Sequence, residues 1–115
     1  MMKTYNDELI TMNLEEMAEH ADEAVQLLKA LSNRNRLMVL CSLSEGELSV
    51  GELLERVPLS QSALSQHLAV LRRDELVTTR RSAQTVFYSL KNENVVRVVS
   101  LLHKMYCAPT KSRTK

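Results

Sequence analysis

The chain is poor in the features that many small proteins are built on. It has two cysteines, Cys41 and Cys107, in 115 residues. Two thiols make no disulfide scaffold, and in a reducing compartment they rest as thiols. They form no C-x-x-C pair and neither opens a predicted helix, so a small thiol-redox enzyme is the weak alternative. No window approaches the roughly 20 apolar residues of a membrane span, and the N-terminus carries acids in place of a basic stretch leading into an apolar one. A cytoplasmic protein without a membrane partner is therefore expected. Internal repeats and low-complexity segments are also missing. The length and an apolar content of 44% suit one core, not two, in a unit small enough to need a partner subunit.

Net charge is only +1, but it is segregated. Residues 1–31 set Lys3 and Lys29 against seven acids, a net of −5. Residues 60–91 set Arg72, Arg73, Arg80, Arg81 and Lys91 against Asp74 and Glu75, a net of +3. Residues 92–115 add a further net of +4, five bases against Glu93. A basic second half points to an anionic partner, and on charge alone an ordinary solvated surface fits equally well.

Apolar spacing predicts five helices. Leu14, Met17, Ala18, Ala21, Ala24, Val25 and Leu28 form the stripe of a first helix over 14–31, with Asn13 as its N-cap and Glu15 and Glu16 in its first turn. A second helix over about 33–43 follows a Ser32 cap and buries Leu37, Leu40 and Cys41, and Glu45-Gly46-Glu47 stops it. Ser49 and Glu52 have the spacing of a capping box for a short third helix ended by Pro58. Ser60 caps a fourth helix over about 61–73, so the third and fourth are joined by a turn of about three residues, Val57 to Leu59, in the helix-turn-helix layout. After Asp74-Glu75 the period changes to two, and the segments either side of Ser82-Ala83-Gln84 predict a hairpin with a basic, polar tip. A last helix, capped by Asn92 or Asn94, carries Val95, Val98, Val99, Leu102, Met105 and Tyr106. Residues 1–12 are expected to be a flexible N-terminus, 13–107 the domain, and 108–115 a disordered basic tail.

The fourth helix has an unusual polar face. With Leu64, Leu68 and Leu71 as its buried stripe, the opposite side holds Ser62, Gln66, Ala69 and Arg73, with Ser65 at its flank. Serine and glutamine coat many solvated helices, yet such helices usually favour Glu and Lys, which this face lacks. Short side chains let a helix enter the roughly 12 Å major groove, where Gln pairs with adenine and Ser meets several base edges. Ser60 and Gln61 place the helix N-terminus near a phosphate, and Arg80, Arg81 and Gln84 on the hairpin reach the backbone or minor groove. His67 lies near the buried stripe and is expected to pack or to face a phosphate instead of binding metal. A pure protein-interaction module, which would bind no DNA, is the competing class.

The segments L-S-N-R-N-R-L, E-L-S-V-G-E-L, L-S-Q-S-A-L-S-Q-H-L-A-V-L-R and V-F-Y-S-L between Leu31 and Leu90 resemble the ArsR/SmtB winged-helix repressors. The resemblance implies a mainly α fold with a small β-hairpin, a winged helix-turn-helix that dimerises through its first and last helices. It also implies binding to an inverted repeat in double-stranded promoter DNA and release by an inducer. A homodimer suits the apolar stripes on the terminal helices.

Many metal-sensing relatives carry Cys-x-Cys where Ser49 and Gly51 stand here, and neither replaces a thiolate. His103 and Glu93 in the last helix make no usual ligand pair, although Cys41, Cys107, His103 and His20 remain able to meet in the fold. A metal- or other ligand-responsive repressor is thus the alternative. The contexts L-M-V-L-C and L-L-H-K-M-Y-C are similar to the branch that senses reactive sulfur or oxidants, the BigR/SqrR and HlyU-like regulators. That resemblance implies a Cys41/Cys107 redox switch, cross-linked by an oxidant or persulfide, with no cofactor and no metal.

Overall fold

A computed structural model describes residues 12–107; the N-terminal stretch before Met12 and the tail 108–115 lie outside the described residues. The elements run α1 (Leu14–Leu31), α2 (Arg34–Ser42), a single 3-10 turn (Leu43–Glu45), β1 (Leu48–Ser49), α3 (Val50–Leu54), α4 (Gln61–Arg73), β2 (Val77–Ser82), β3 (Thr85–Leu90) and α5 (Glu93–Cys107). The strands form one antiparallel sheet in the order β1-β3-β2. Helices and sheet together make a winged helix-turn-helix.

Caps place the helices. Asn13 accepts the Glu16 N–H at the start of α1. Asn33, not Ser32, caps α2, accepting the Asn35 and Arg36 N–H groups at 3.0 Å each. Ser32 is already spent on α1, where its N–H and its hydroxyl both donate to the Lys29 carbonyl. Asn33 is the first residue free to take the extended conformation of an N-cap. Arg36 then reaches back, donating from Nε to the Ala30 carbonyl and from Nη2 to that of Lys29, at 3.2 Å each. It satisfies carbonyls that helix geometry leaves unpaired and clamps the end of α1 onto α2.

The Ser49–Glu52 capping box forms as expected, but α3 stops at Leu54, well before Pro58. The Arg56 and Val57 N–H groups both turn back to the Leu53 carbonyl, and Val57, preceding a proline, is disfavoured in the helical region. The link to α4 therefore runs from Glu55 to Ser60, longer than the expected Val57–Leu59 turn. At its far end α4 closes in a Schellman motif: the Leu76 N–H bonds the Leu71 carbonyl and the Glu75 N–H bonds that of Arg72. Glu75 takes the left-handed conformation that glycine usually supplies there, at φ 63°. Asn92, not Asn94, caps α5 through the Val95 N–H.

β1, two residues facing Tyr88 and Phe87, was not expected; it is too short to show a period of its own. The hairpin turns at Ala83-Gln84, so Ser82 belongs to β2 and pairs with Thr85. Leu40, Leu53, Leu64, Leu68, Leu71, Val77 and Val99 are fully or almost fully buried and knit α2, α3, α4, β2 and α5 into one core. In α2, Val39 and Leu40 are buried while Leu37 and Cys41 are only half-buried, because the helix is clasped between α4 and α5.

The terminal helices behave differently. Of α1 only Ala30 is buried, and Leu14, Met17, Val25 and Leu28 stand 46–73% exposed. On α5, Val95 and Val99 enter the core while Leu101, Met105 and Tyr106 remain outside. The stripe predicted on α1 thus faces away from the chain's own core. Among the described residues no helix is long and apolar enough to cross a membrane.

Leu64 sits wholly buried beneath α4. Leu64→Ala is expected to lower unfolding free energy by about 2–5 kcal/mol, measured by urea titration at fixed protein concentration; a loss well below that range would mean the site collapses around the missing volume.

Candidate nucleic-acid interface and thiol pair

The leucine stripe fixes which side of α4 faces out. With Leu64, Leu68 and Leu71 inside, Gln61, Ser62, Ser65, Gln66, Ala69 and Arg73 are all exposed, and His67 is half-buried. The Ser60 hydroxyl accepts the Ala63 N–H at 3.1 Å, so Ser60 orders the helix start. Its proton and the Gln61 and Ser62 N–H groups remain available at the positive end of the helix dipole.

Pairing across the hairpin divides the wing residues between two faces. Thr79 lies opposite Tyr88, Arg80 opposite Phe87 and Arg81 opposite Val86. Tyr88 lines a groove of about 400 Å³ with Ser65, Ala69, Arg72 and Arg73 of α4. By strand alternation Arg81 shares that side of the sheet with Thr79. Arg80 projects from the other side. Its guanidinium stacks 4.8 Å above the Phe87 ring, and it donates from Nε to Glu47 Oε1 at 3.0 Å and from Nη2 to Glu47 Oε2.

This paired geometry holds the Glu47 carboxyl below its ordinary range, chiefly through the hydrogen bonds from Arg80, and raises the Arg80 guanidinium in turn. The two wing arginines, equivalent in the sequence, are therefore unequal: Arg80 already has a carboxylate, while Arg81 is exposed and, among the described residues, has none. Gln84 is exposed at the tip. Glu47, Arg72 and Tyr88 had no signal in the linear pattern. Glu47 and Arg80 are 33 residues apart, and Tyr88 joins the groove only through the hairpin register.

Cys41 and Cys107 are both free thiols, the first half-buried on α2 and the second exposed at the last position of α5. The two helices pack together. Burial pushes the Cys41 thiol above its ordinary pKa, and the neighbouring Cys107 pushes it further. Among the described residues no three His, Cys, Asp or Glu side chains gather as metal ligands. The possible meeting of Cys41, Cys107, His103 and His20 does not occur within the chain; His20 instead faces Glu23 at 3.3 Å.

Residues 33–79 match the family described as bacterial regulatory protein, arsR family. The transcriptional activator HlyU of Vibrio cholerae is 59% identical over 84% of this chain and 89% of its own. A solved structure of reduced HlyU from that organism superposes with a TM-score of 0.76 at 58% identity, covering 81% of this chain and 98% of that one. The transcriptional repressor BigR of Xylella fastidiosa gives 0.78 at 43% identity over 85% and 100%. A homodimeric winged helix-turn-helix DNA-binding domain from Mycobacterium bovis gives 0.70 at 26% identity over 84% and 89%.

The unequal burial of the thiols has a kinetic consequence. In the native reduced protein iodoacetamide is expected to modify Cys107 before Cys41. The Cys41 rate should keep rising with pH after an ordinary thiol has levelled off, because a raised pKa keeps it protonated longer. Peptide mass spectrometry over a pH series checks this, and modification of Cys41 first would contradict it.

Proposed function

This chain belongs to the ArsR family of bacterial regulatory proteins, DNA-binding transcriptional regulators and not enzymes, and from that premise we propose that it is a cytoplasmic homodimer of repressor type whose grip on inverted-repeat promoter DNA is released by oxidation of Cys41 and Cys107. The observation that carries the switch is that its two thiols, an exposed one on α5 and a half-buried one on α2, sit on helices that pack against each other. The exposed apolar residues of α1 and α5 support the homodimer, as does the homodimeric relative. A relative solved specifically as reduced HlyU agrees with a regulator whose thiol state matters.

Binding divides between two kinds of contact. Ser62, Ser65 and Gln66 meet base edges from α4 in the major groove, while Ser60, Gln61, Arg73, Arg81 and Gln84 meet the sugar-phosphate backbone or minor groove. Arg80 joins them only by exchanging Glu47 for a phosphate.

The redox step balances with a persulfide RS–SH as oxidant. The Cys107 thiolate attacks the outer sulfur, expelling RS⁻, which leaves as RSH, and Cys107 becomes a persulfide. The Cys41 thiolate then attacks the Cys107 sulfur, expelling hydrosulfide and forming the disulfide. Overall, two thiols are oxidised to a disulfide and one persulfide is reduced to a thiol and hydrogen sulfide. Exposure assigns Cys107 the first attack and leaves the half-buried Cys41 the second, intramolecular step, in which tethering offsets a scarce thiolate. Drawing α5 onto α2 shifts a dimer helix against the core that carries α4.

Anisotropy titration of promoter DNA at one salt concentration tests the switch. Reduced protein is expected to bind tightly, persulfide-treated protein weakly, and added reductant to restore binding. Cys41→Ser should bind DNA when reduced and no longer respond; a responding variant would place the sensor elsewhere.

Base reading has a separate signature. Gln66→Ala is expected to reduce discrimination between operator and random DNA by about 1–3 kcal/mol, whereas Arg81→Ala should weaken both alike and lower the salt slope by about 1. Arg80→Ala should change the slope less, its charge being shared with Glu47. Equal losses on operator and random DNA from Gln66→Ala would remove its base-reading role.

A further inference from the structure

Asp74 is an odd residue to find at the end of α4. It is the C-cap of that helix, where the dipole disfavours a carboxylate, and its side chain is only 10% exposed. Two donors hold it. Arg73 Nε lies 3.2 Å from Oδ1, and Gln26 Nε2, on α1, donates to the same oxygen at 2.9 Å. Among the described residues, Gln26–Asp74 is the one side-chain hydrogen bond joining α1 to α4.

Space surrounds this bond. A cleft of about 540 Å³ opens between α1, the end of α4 and the start of α5, and another of about 640 Å³ lies between α1, α2 and α4. Gln26, Arg73 and Asp74 line both. At this point open space flanks the bond between α1 and the end of α4 on both sides. The helix is clamped at its C-terminal end by Arg36 and Ala30, with Leu27 and Leu31 half-buried against the core, and Gln26 is its polar tie to the end of α4.

We propose that Gln26 and Asp74 are positioning residues that set the angle between the dimer helix α1 and the recognition helix α4, and thereby the half-site spacing the protein accepts. The inference rests on the homodimer reading above, in which α1 is shared between subunits and α4 reads the half-site. The Schellman closure fixes Asp74 rigidly to α4, so a tilt at the Gln26 contact reaches the DNA-facing end undiminished. Thirteen residues of helix span about 20 Å. A tilt of about 10° therefore moves the Ser60 end by about 3.4 Å, close to the rise of one base pair, in each subunit.

The test begins with duplexes selected by the wild-type protein from a random-sequence pool. Anisotropy titrations at fixed salt then compare the selected spacing with duplexes one base pair longer or shorter, and with a single half-site. Gln26→Ala is expected to bind the half-site like wild type but to lose roughly fivefold or more of the preference for the selected spacing, and Asp74→Ala, which also frees Arg73, to lose that preference when each spacing is compared with its own half-site affinity. Asp74→Asn, whose amide oxygen still accepts from Gln26, should keep it. Gln26→Glu, which faces one carboxylate with another, should lose it as well, and circular dichroism melts establish that each variant is folded. Folded Gln26→Ala protein with the wild-type spacing preference would overturn the proposal. Selection of duplexes without an inverted repeat would overturn the homodimer reading, and this inference with it.

Discussion

Everything in this molecule is arranged around one helix having to be apolar on one side and free of apolar bulk on the other. Leu64, Leu68 and Leu71 anchor α4 in the core at 0–2% exposure, and that anchorage turns Ser62, Gln66 and Ala69 outward. Apart from Arg73 at its end, the outward face is made of uncharged side chains, which contribute little to stability, so the buried leucines hold the helix in place. Burial of three leucines at about 1.5–3 kcal/mol each is the scale of that support. The capping hydroxyl of Ser60 and the Schellman closure at Glu75 fix both ends, leaving α4 a stiff rod mounted on the core.

The wing adds charge selectively. Arg80 and Arg81 are adjacent in sequence and opposite in disposition, because a strand sends alternate side chains to opposite faces. One is stacked on Phe87 and bonded to Glu47; the other lies on the side of the sheet turned towards α4. An exposed ion pair of this kind adds little stability. Its effect is to occupy an arginine that would otherwise bind any phosphate.

What was legible in the chain was what local rules govern. The period of α4, the Ser49–Glu52 capping box, Asn13 and Ser60 as caps, and the hairpin all depend on residues within a few positions of one another. Spacing does not separate Ser32 from Asn33, because adjacent residues compete for the same cap and the outcome turns on where α1 ends. β1 was invisible because two residues have no periodicity. Glu47 beside Arg80, Gln26 beside Asp74 and Tyr88 beside Ser65 depend on tertiary register, which no spacing in the sequence encodes. The exposure of α1 was half legible: its stripe was plain, but only the fold places that stripe away from the chain's own core.

That helix has a thermodynamic consequence. With Ala30 as its one buried residue, α1 has little of its own core to lean on, and most helical stability in proteins comes from the packing of an amphipathic face. Its backbone amides should therefore open to solvent at far lower cost than those of α4, unless another surface covers the stripe. Hydrogen exchange along α1 becomes a gauge of whatever occupies that face, read from the helix itself with no label and no DNA present.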